Sequence, residues 1–137
     1  MRHKLLVVDD DPEMRRALVQ SLGEAYEVLE APTGRDALLI LASQRPRLML
    51  LDMTMPGMSG LEVLAAAPDI VKAMTVLMLT GENDVELAKR ALDLGADEFI
   101  TKPFDWPRLK DKVERSMNVT PGGSGRPWRV KDDVKAS

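Results

Sequence analysis

Five short apolar runs, each followed by a longer segment with helical spacing, fill the first 117 residues and leave few folds open. Leu5, Leu6, Val7 and Val8 form the first run, which is continuous, as expected of a strand covered on both faces. Asp11-Pro12 then reads as a helix cap with proline at the first helical position. Met14, Ala17, Leu18 and Leu22 follow at three- and four-residue spacing until Gly23. Residues 26–31 alternate enough to predict an edge strand, and Thr33 caps a second helix bearing Ala37, Leu38, Ile40 and Leu41. Residues 48–51 predict a third buried strand ending at Asp52. A Met-Pro-Gly-Met-Ser-Gly loop follows, then a short helix over 61–67 that Pro68 stops. A fourth strand over 75–79 leads to Thr80-Gly81, and a helix over 85–94 closes at Gly95. Phe99-Ile100 starts a fifth strand before Lys102-Pro103, and Asp105 caps a last helix with Leu109 and Val113 inward. This repetition implies right-handed crossovers and a parallel sheet with helices on both faces, the doubly wound α/β class.

Composition narrows the chemistry. With no cysteine, the chain has no disulfide, thiolate zinc site or cysteine nucleophile. A single histidine, His3, excludes a histidine triad or a multi-histidine metal centre. No apolar run approaches the ~18–20 residues that span a bilayer, so no membrane contact is expected. Four apolar residues near the start are too few for a signal-peptide core, so a cytoplasmic location is expected. Residues 1–117 hold 15 basic and 20 acidic side chains, which argues against direct nucleic-acid binding. Residues 1–117 are expected to be one domain and 118–137 a Gly/Pro-rich tail or linker stump with Trp128 as its one large apolar residue.

In an open α/β sheet, ligands sit beyond the carboxyl ends of the strands. The first strand ends in Asp9, Asp10 and Asp11, the third in Asp52, the fourth in Thr80 and the fifth in Thr101 and Lys102. A lone Asp at a strand end is ordinarily a turn former or a cap, and Asp11 fits that reading fully. Convergence of Asp9, Asp10 and Asp52 is different. Two carboxylates ~4 Å apart repel by ~4 kcal/mol at an effective dielectric of 20, so one stays protonated or a cation binds. A hard divalent ion with oxygen ligands suits such a set. With Lys102 for an anion and Thr80 as a hydroxyl donor, the residues suffice for Mg²⁺-assisted phosphoryl transfer to a carboxylate.

These segments resemble the receiver domain of bacterial two-component response regulators. The resemblance rests on Leu-Leu-Val-Val-Asp9-Asp10-Asp-Pro, Leu-Leu-Asp52-Met-Thr-Met-Pro56-Gly-Met-Ser-Gly60, Val-Leu-Met-Leu-Thr80-Gly and Gly-Ala-Asp-Glu-Phe99-Ile-Thr-Lys102-Pro103-Phe, over about residues 3–117. It implies a flavodoxin-like (βα)5 fold with strand order 2-1-3-4-5. It implies that Asp52 is the phosphoacceptor and that Asp9, Asp10, Asp52 and the backbone carbonyl of Thr54 are Mg²⁺ ligands. Lys102 and Thr80 would contact the phosphoryl group, with Thr80 and Phe99 as the conformational switch and Lys102-Pro103 as a cis peptide. Thr54 and Glu82 would tune phosphoryl lifetime. The donor would be a sensor histidine kinase or a histidine phosphotransfer protein, and the chain would be no enzyme beyond its own phosphorylation and dephosphorylation.

The output would be a protein or effector domain contacted through the fourth helix, fifth strand and fifth helix, a face that could also form a homodimer. Glu86, Lys89, Arg90 and Asp93 lie on one of these helices, and Arg108, Lys112 and Arg115 on the other. Two alternatives remain. A phosphorylation-independent scaffold ordinarily lacks one of the acids, the Thr or the Lys, and none is missing here. A haloacid-dehalogenase-type phosphatase wants a second acid two residues after its nucleophile, where this chain has Thr54.

Overall fold

The computed structural model describes residues 2–81 and 84–118. Strands β1 (Lys4–Val8), β2 (Glu27–Ala31), β3 (Leu48–Asp52), β4 (Thr75–Gly81) and β5 (Glu98–Lys102) form one sheet in the order β2-β1-β3-β4-β5. Every pairing is parallel. The helices are α1 (Pro12–Leu22), α2 (Gly34–Gln44), α3 (Gly60–Ala66), α4 (Pro68–Lys72), α5 (Val85–Asp93) and α6 (Trp106–Met117).

Strand alternation divides the core in two. Leu5, Val7, Leu48, Leu50, Leu77, Leu79 and Ile100 pack under α1 and α6, against Leu18, Leu22, Leu109 and Val113. Leu6, Val8, Met49, Leu51, Val76 and Met78 pack under α2, α3, α4 and α5, against Leu41, Val63, Val71 and Ala88. All five residues of β3 are buried, whereas β2 exposes Glu27 and Glu30, as an edge strand does.

The expected elements are present, with three local differences. Pro68 ends one helix and opens another: α3 stops at Ala66, and Pro68 takes the first position of α4, where its missing N–H costs nothing. Gly23 ends α1 in a right-handed conformation (φ −67°), so no left-handed cap is used there. Asp105 stands at the N-cap of α6 without a side-chain hydrogen bond: Pro107 offers no N–H at the second helical position, and the Arg108 N–H at the third is not engaged by the Asp105 side chain. By contrast, Asp11 accepts from Glu13 N–H at 3.0 Å, Thr33 Oγ1 accepts from Asp36 N–H at 3.1 Å, and Ser59 and Glu62 form a reciprocal capping box. Residues 119–137 of the expected tail, Trp128 among them, lie outside the described residues.

Two contacts fix the ends of β3. At its start, Arg47 donates from Nε and Nη2 to the Met117 carbonyl at 2.9 and 2.6 Å, tying the last turn of α6 to the sheet. At its end, Gly60 N–H donates to the Met53 carbonyl, and a Cβ on Gly60 would stand 2.6 Å from the Asp52 carbonyl oxygen. Glycine therefore lets the start of α3 close against the strand end that carries Asp52. Gly60→Ala is expected to cost about 1–3 kcal/mol in urea unfolding, as overpacking against backbone does. Wild-type stability in that variant would contradict the close approach.

Candidate functional site

The rim beyond the strand ends brings together what the sequence placed there one residue at a time. Asp9 and Asp52 share the alternation of the α1–α6 face of the sheet, as does Lys102 on β5. Asp9 is 1% exposed and Asp52 7% exposed, while Asp10 lies open to solvent. One carboxylate oxygen from each of Asp9, Asp10 and Asp52 falls within 4.8 Å of the others. Lys102 Nζ lies 3.2 Å from Asp9 Oδ2 and 3.5 Å from Asp52 Oδ1. Asp9 Oδ1 also accepts from Asp11 N–H at 2.9 Å, and Asp52 Oδ1 from Thr54 N–H at 3.4 Å.

Thr80 and Phe99 sit on the opposite alternation. Their register pairs Met78 with Phe99 and Thr80 with Thr101, so the two lie diagonally on the face covered by α5. Thr80 is buried, and its hydroxyl donates to the Gly81 carbonyl at 3.3 Å, not to Asp52. Phe99 is half-buried and packs at the margin of the core. It lines a 460 Å³ cleft between β5 and α6 with Pro103, Phe104, Arg108 and Leu109. Lys102-Pro103 is cis. Thr54 is exposed on the loop after Asp52, and Glu82 lies outside the described residues.

The charge balance defines what the pocket can hold. Three carboxylates face one ammonium, and each close carboxylate pair repels by about 3–4 kcal/mol at an effective dielectric of ~20. Lys102 cannot neutralise all three. Every donor offered is a hard oxygen, with no sulfur or imidazole, so the set fits a hard divalent cation such as Mg²⁺ and not a soft one.

Burial adds to this imbalance in the acid–base properties of the site. Burial, and then the Asp9 charge, push the Asp52 carboxyl from its ordinary 3.8 up to about 6, against the lowering by Lys102 and the Thr54 N–H. For Lys102, burial pulls the ammonium down, but the Asp52 and Asp9 charges outweigh it and hold its pKa above the ordinary lysine value.

Sequence reasoning overlooked one pair at this rim. Arg15 on α1 donates from Nη1 to the Asp9 carbonyl at 2.7 Å, and its Nε stands 3.5 Å from Glu30 of β2. Arg15 lies one helical turn into α1, where a basic residue looks like any solvated helix position. Only the pairing of β1 with β2 brings Glu30 beside it.

A raised folded-state pKa stabilises the fold most below pH 4, and that contribution is lost as pH rises through 6. Asp52→Asn removes the ionisation. In metal-free buffer at pH 7.5 the variant is expected to be about 1–3 kcal/mol more stable than the wild type, with the gap closing towards pH 4 in a series of urea titrations. Equal stability at pH 7.5 would show that the Asp52 charge is fully compensated.

The family model for the response regulator receiver domain matches residues 5–114. The chain is 34% identical over 118 residues to sporulation initiation phosphotransferase F of Bacillus subtilis, covering 85% of this chain and 95% of that protein. It is 40% identical over 117 residues to the transcriptional regulatory protein KdpE of Mycobacterium tuberculosis, covering 82% of this chain but 51% of that protein. It thus spans nearly all of one relative and about half of the other. A response regulator receiver domain protein from Methanospirillum hungatei superposes with a TM-score of 0.81 at 31% identity, covering 86% of this chain and 95% of that one. The Vibrio cholerae chemotaxis protein CheY4 superposes with a TM-score of 0.78 at 32% identity, covering 85% of this chain and 99% of that one. With a shared fold and a family match over most of its length, the chain belongs to the response regulator receiver family of two-component signalling.

Proposed function

We propose that Asp52 accepts a phosphoryl group from a phosphohistidine on a partner kinase or histidine phosphotransfer protein, and that the phosphorylated chain controls an output partner or domain. The observation that carries this reading is the position of Asp52: nearly buried, at a strand end, between an ammonium and two further carboxylates. In the transfer, an Asp52 carboxylate oxygen bonds to phosphorus, the P–N bond breaks, and the imidazole leaves with the electron pair and takes a proton. A Mg²⁺ ion, when bound, would offset charge on the phosphoryl oxygens. Asp9, Asp10, Asp52 and the Thr54 carbonyl are the residues that would hold it. The lone His3 stands apart from this rim at the start of the chain, consistent with a donor on another protein.

Lys102 bonds to Asp9 and Asp52 at once, and an incoming phosphoryl oxygen would take over part of that ammonium. Thr80 holds its hydroxyl on the Gly81 carbonyl, and breaking that single long bond frees it for the same oxygen. Phe99 lies diagonally across the strand pair from Thr80, so movement of Thr80 and β4 is felt at the β5–α6 cleft. The output face is then α5, β5 and α6, with its exposed Arg90, Arg108 and Arg115. A homodimer through this face is one form that output could take. Beyond its own phosphorylation and dephosphorylation, the chain performs no turnover in this reading. Thr54, two residues after Asp52, lacks the carboxyl that a haloacid-dehalogenase-type phosphatase would use.

Intact-protein mass spectrometry after incubation with a small-molecule phosphodonor tests the proposal. One added phosphoryl group is expected with Mg²⁺ present, none with chelator, and none in Asp52→Ala. Lys102→Ala is expected to slow adduct formation by at least tenfold. An adduct that persists in Asp52→Ala would place the acceptor elsewhere. No adduct in the wild type, with fast hydrolysis ruled out by rapid quenching, would favour a scaffold.

A further inference from the structure

We propose that Arg15 and Glu30 form a positioning pair for the acidic pocket, orienting Asp10 for a divalent cation by pinning the peptide between Asp9 and Asp10. This rests on the reading of Asp9, Asp10 and Asp52 as a cation site.

The three carboxylates are not held alike. Asp9 has Lys102 and the Asp11 N–H, and Asp52 has Lys102 and the Thr54 N–H. Asp10 is exposed, and no hydrogen bond or ion pair is found for its carboxylate among the described residues. Its aim is therefore set by its backbone. The carbonyl of Asp9 belongs to the same peptide plane as the N–H of Asp10. Rotation of that plane would swing the Asp10 Cα–Cβ bond away from the pocket.

Two hydrogen bonds hold the plane and its neighbour. On one side Asp9 N–H donates to the Ala31 carbonyl at 3.2 Å, as a continuation of the β1–β2 ladder. On the other, Arg15 Nη1 donates to the Asp9 carbonyl at 2.7 Å, the short length of a charge-assisted bond. The Arg15 side chain is only 18% exposed, and its guanidinium is oriented in turn by Glu30, Nε to Oε1 at 3.5 Å. A planar guanidinium can hold both acceptors from different edges, which a lysine ammonium cannot do with the same rigidity.

Glu30 has a second effect. A bare guanidinium behind three carboxylates would oppose an incoming cation. Glu30 cancels that charge and leaves the orienting hydrogen bond in place. Both members of the pair should then matter for cation affinity, although neither is a ligand.

The test is Mg²⁺ binding by isothermal titration calorimetry on the full chain, with no phosphodonor present. Arg15→Met keeps the stem and removes the donors, and a 3- to 10-fold weaker Kd is expected. Arg15→Lys is expected to fall between Met and wild type. Glu30→Ala, at a half-exposed position away from the ligands, is expected to weaken binding two- to threefold and tests the pair even if Arg15→Met fails to fold. Phosphorylation rates at saturating Mg²⁺ should return to within about twofold of wild type in all three, because the defect lies in cation affinity. A merely structural role would lower thermal stability and leave the Kd unchanged, and that result overturns the proposal. Absence of Mg²⁺ binding by the wild type would instead overturn the cation-site reading, and this proposal with it.

Discussion

Lys102 reaches from the outermost strand across the rim to two carboxylates on inner strands, and the order of that rim depends on this span. Its ammonium meets Asp9 at 3.2 Å and Asp52 at 3.5 Å, joining the ends of β1, β3 and β5. One cation among three acids leaves a deficit of positive charge, and burial together with the Asp9 charge raises the Asp52 pKa. The site is thus neither neutral nor self-sufficient. The proposed phosphoryl transfer would complete it with a cation and then with an anion. A fully compensated site would be more stable and would have less to gain from either ligand.

The pleat of the sheet separates the acidic groups from the residues proposed as the switch. Asp9, Asp52 and Lys102 lie on the alternation facing α1 and α6, while Thr80 and Phe99 lie on the other. The proposed chemistry and readout would therefore occupy two sides of the same strand ends, with Thr80 next to the rim. The hydroxyl rests on a neighbouring carbonyl through one long bond, so little is lost when it leaves. Phe99 is neither fully buried nor free, and it packs beside the core on this face. A pair of such weakly committed side chains is what a two-state element needs.

Much of this was legible in the chain. Continuous apolar runs at 5–8 and 48–51 pointed to strands covered on both faces, and the intervening 3.6-residue spacing supplied the covers. Residues at the carboxyl ends of those runs had to share a rim, which made Asp9, Asp52, Thr80 and Lys102 candidates before any coordinate. The role of Pro68 was not legible, because the same residue stops one helix and starts another, and the choice depends on whether the following turn can bury Val71. Nor was the bare N-cap at Asp105 foreseeable from its residue type alone, since an Asp at that position ordinarily caps.

Sequence alone determined the alternation of elements, the two-sided core and the list of groups at the strand ends, because side-chain period and backbone preference are local properties. It could not determine distances between groups 40 to 90 residues apart. Tertiary structure decided that Lys102 bridges Asp9 and Asp52, that Thr80 faces away from them, and that the exposed Asp10 comes within reach of both acids. It also brought Glu30 beside Arg15, a contact that exists only because β2 pairs with β1 and not with another strand. The physical reason is common to all four. Which charged groups meet is set by strand order and register, and those are fixed by burying apolar side chains far from the charges themselves.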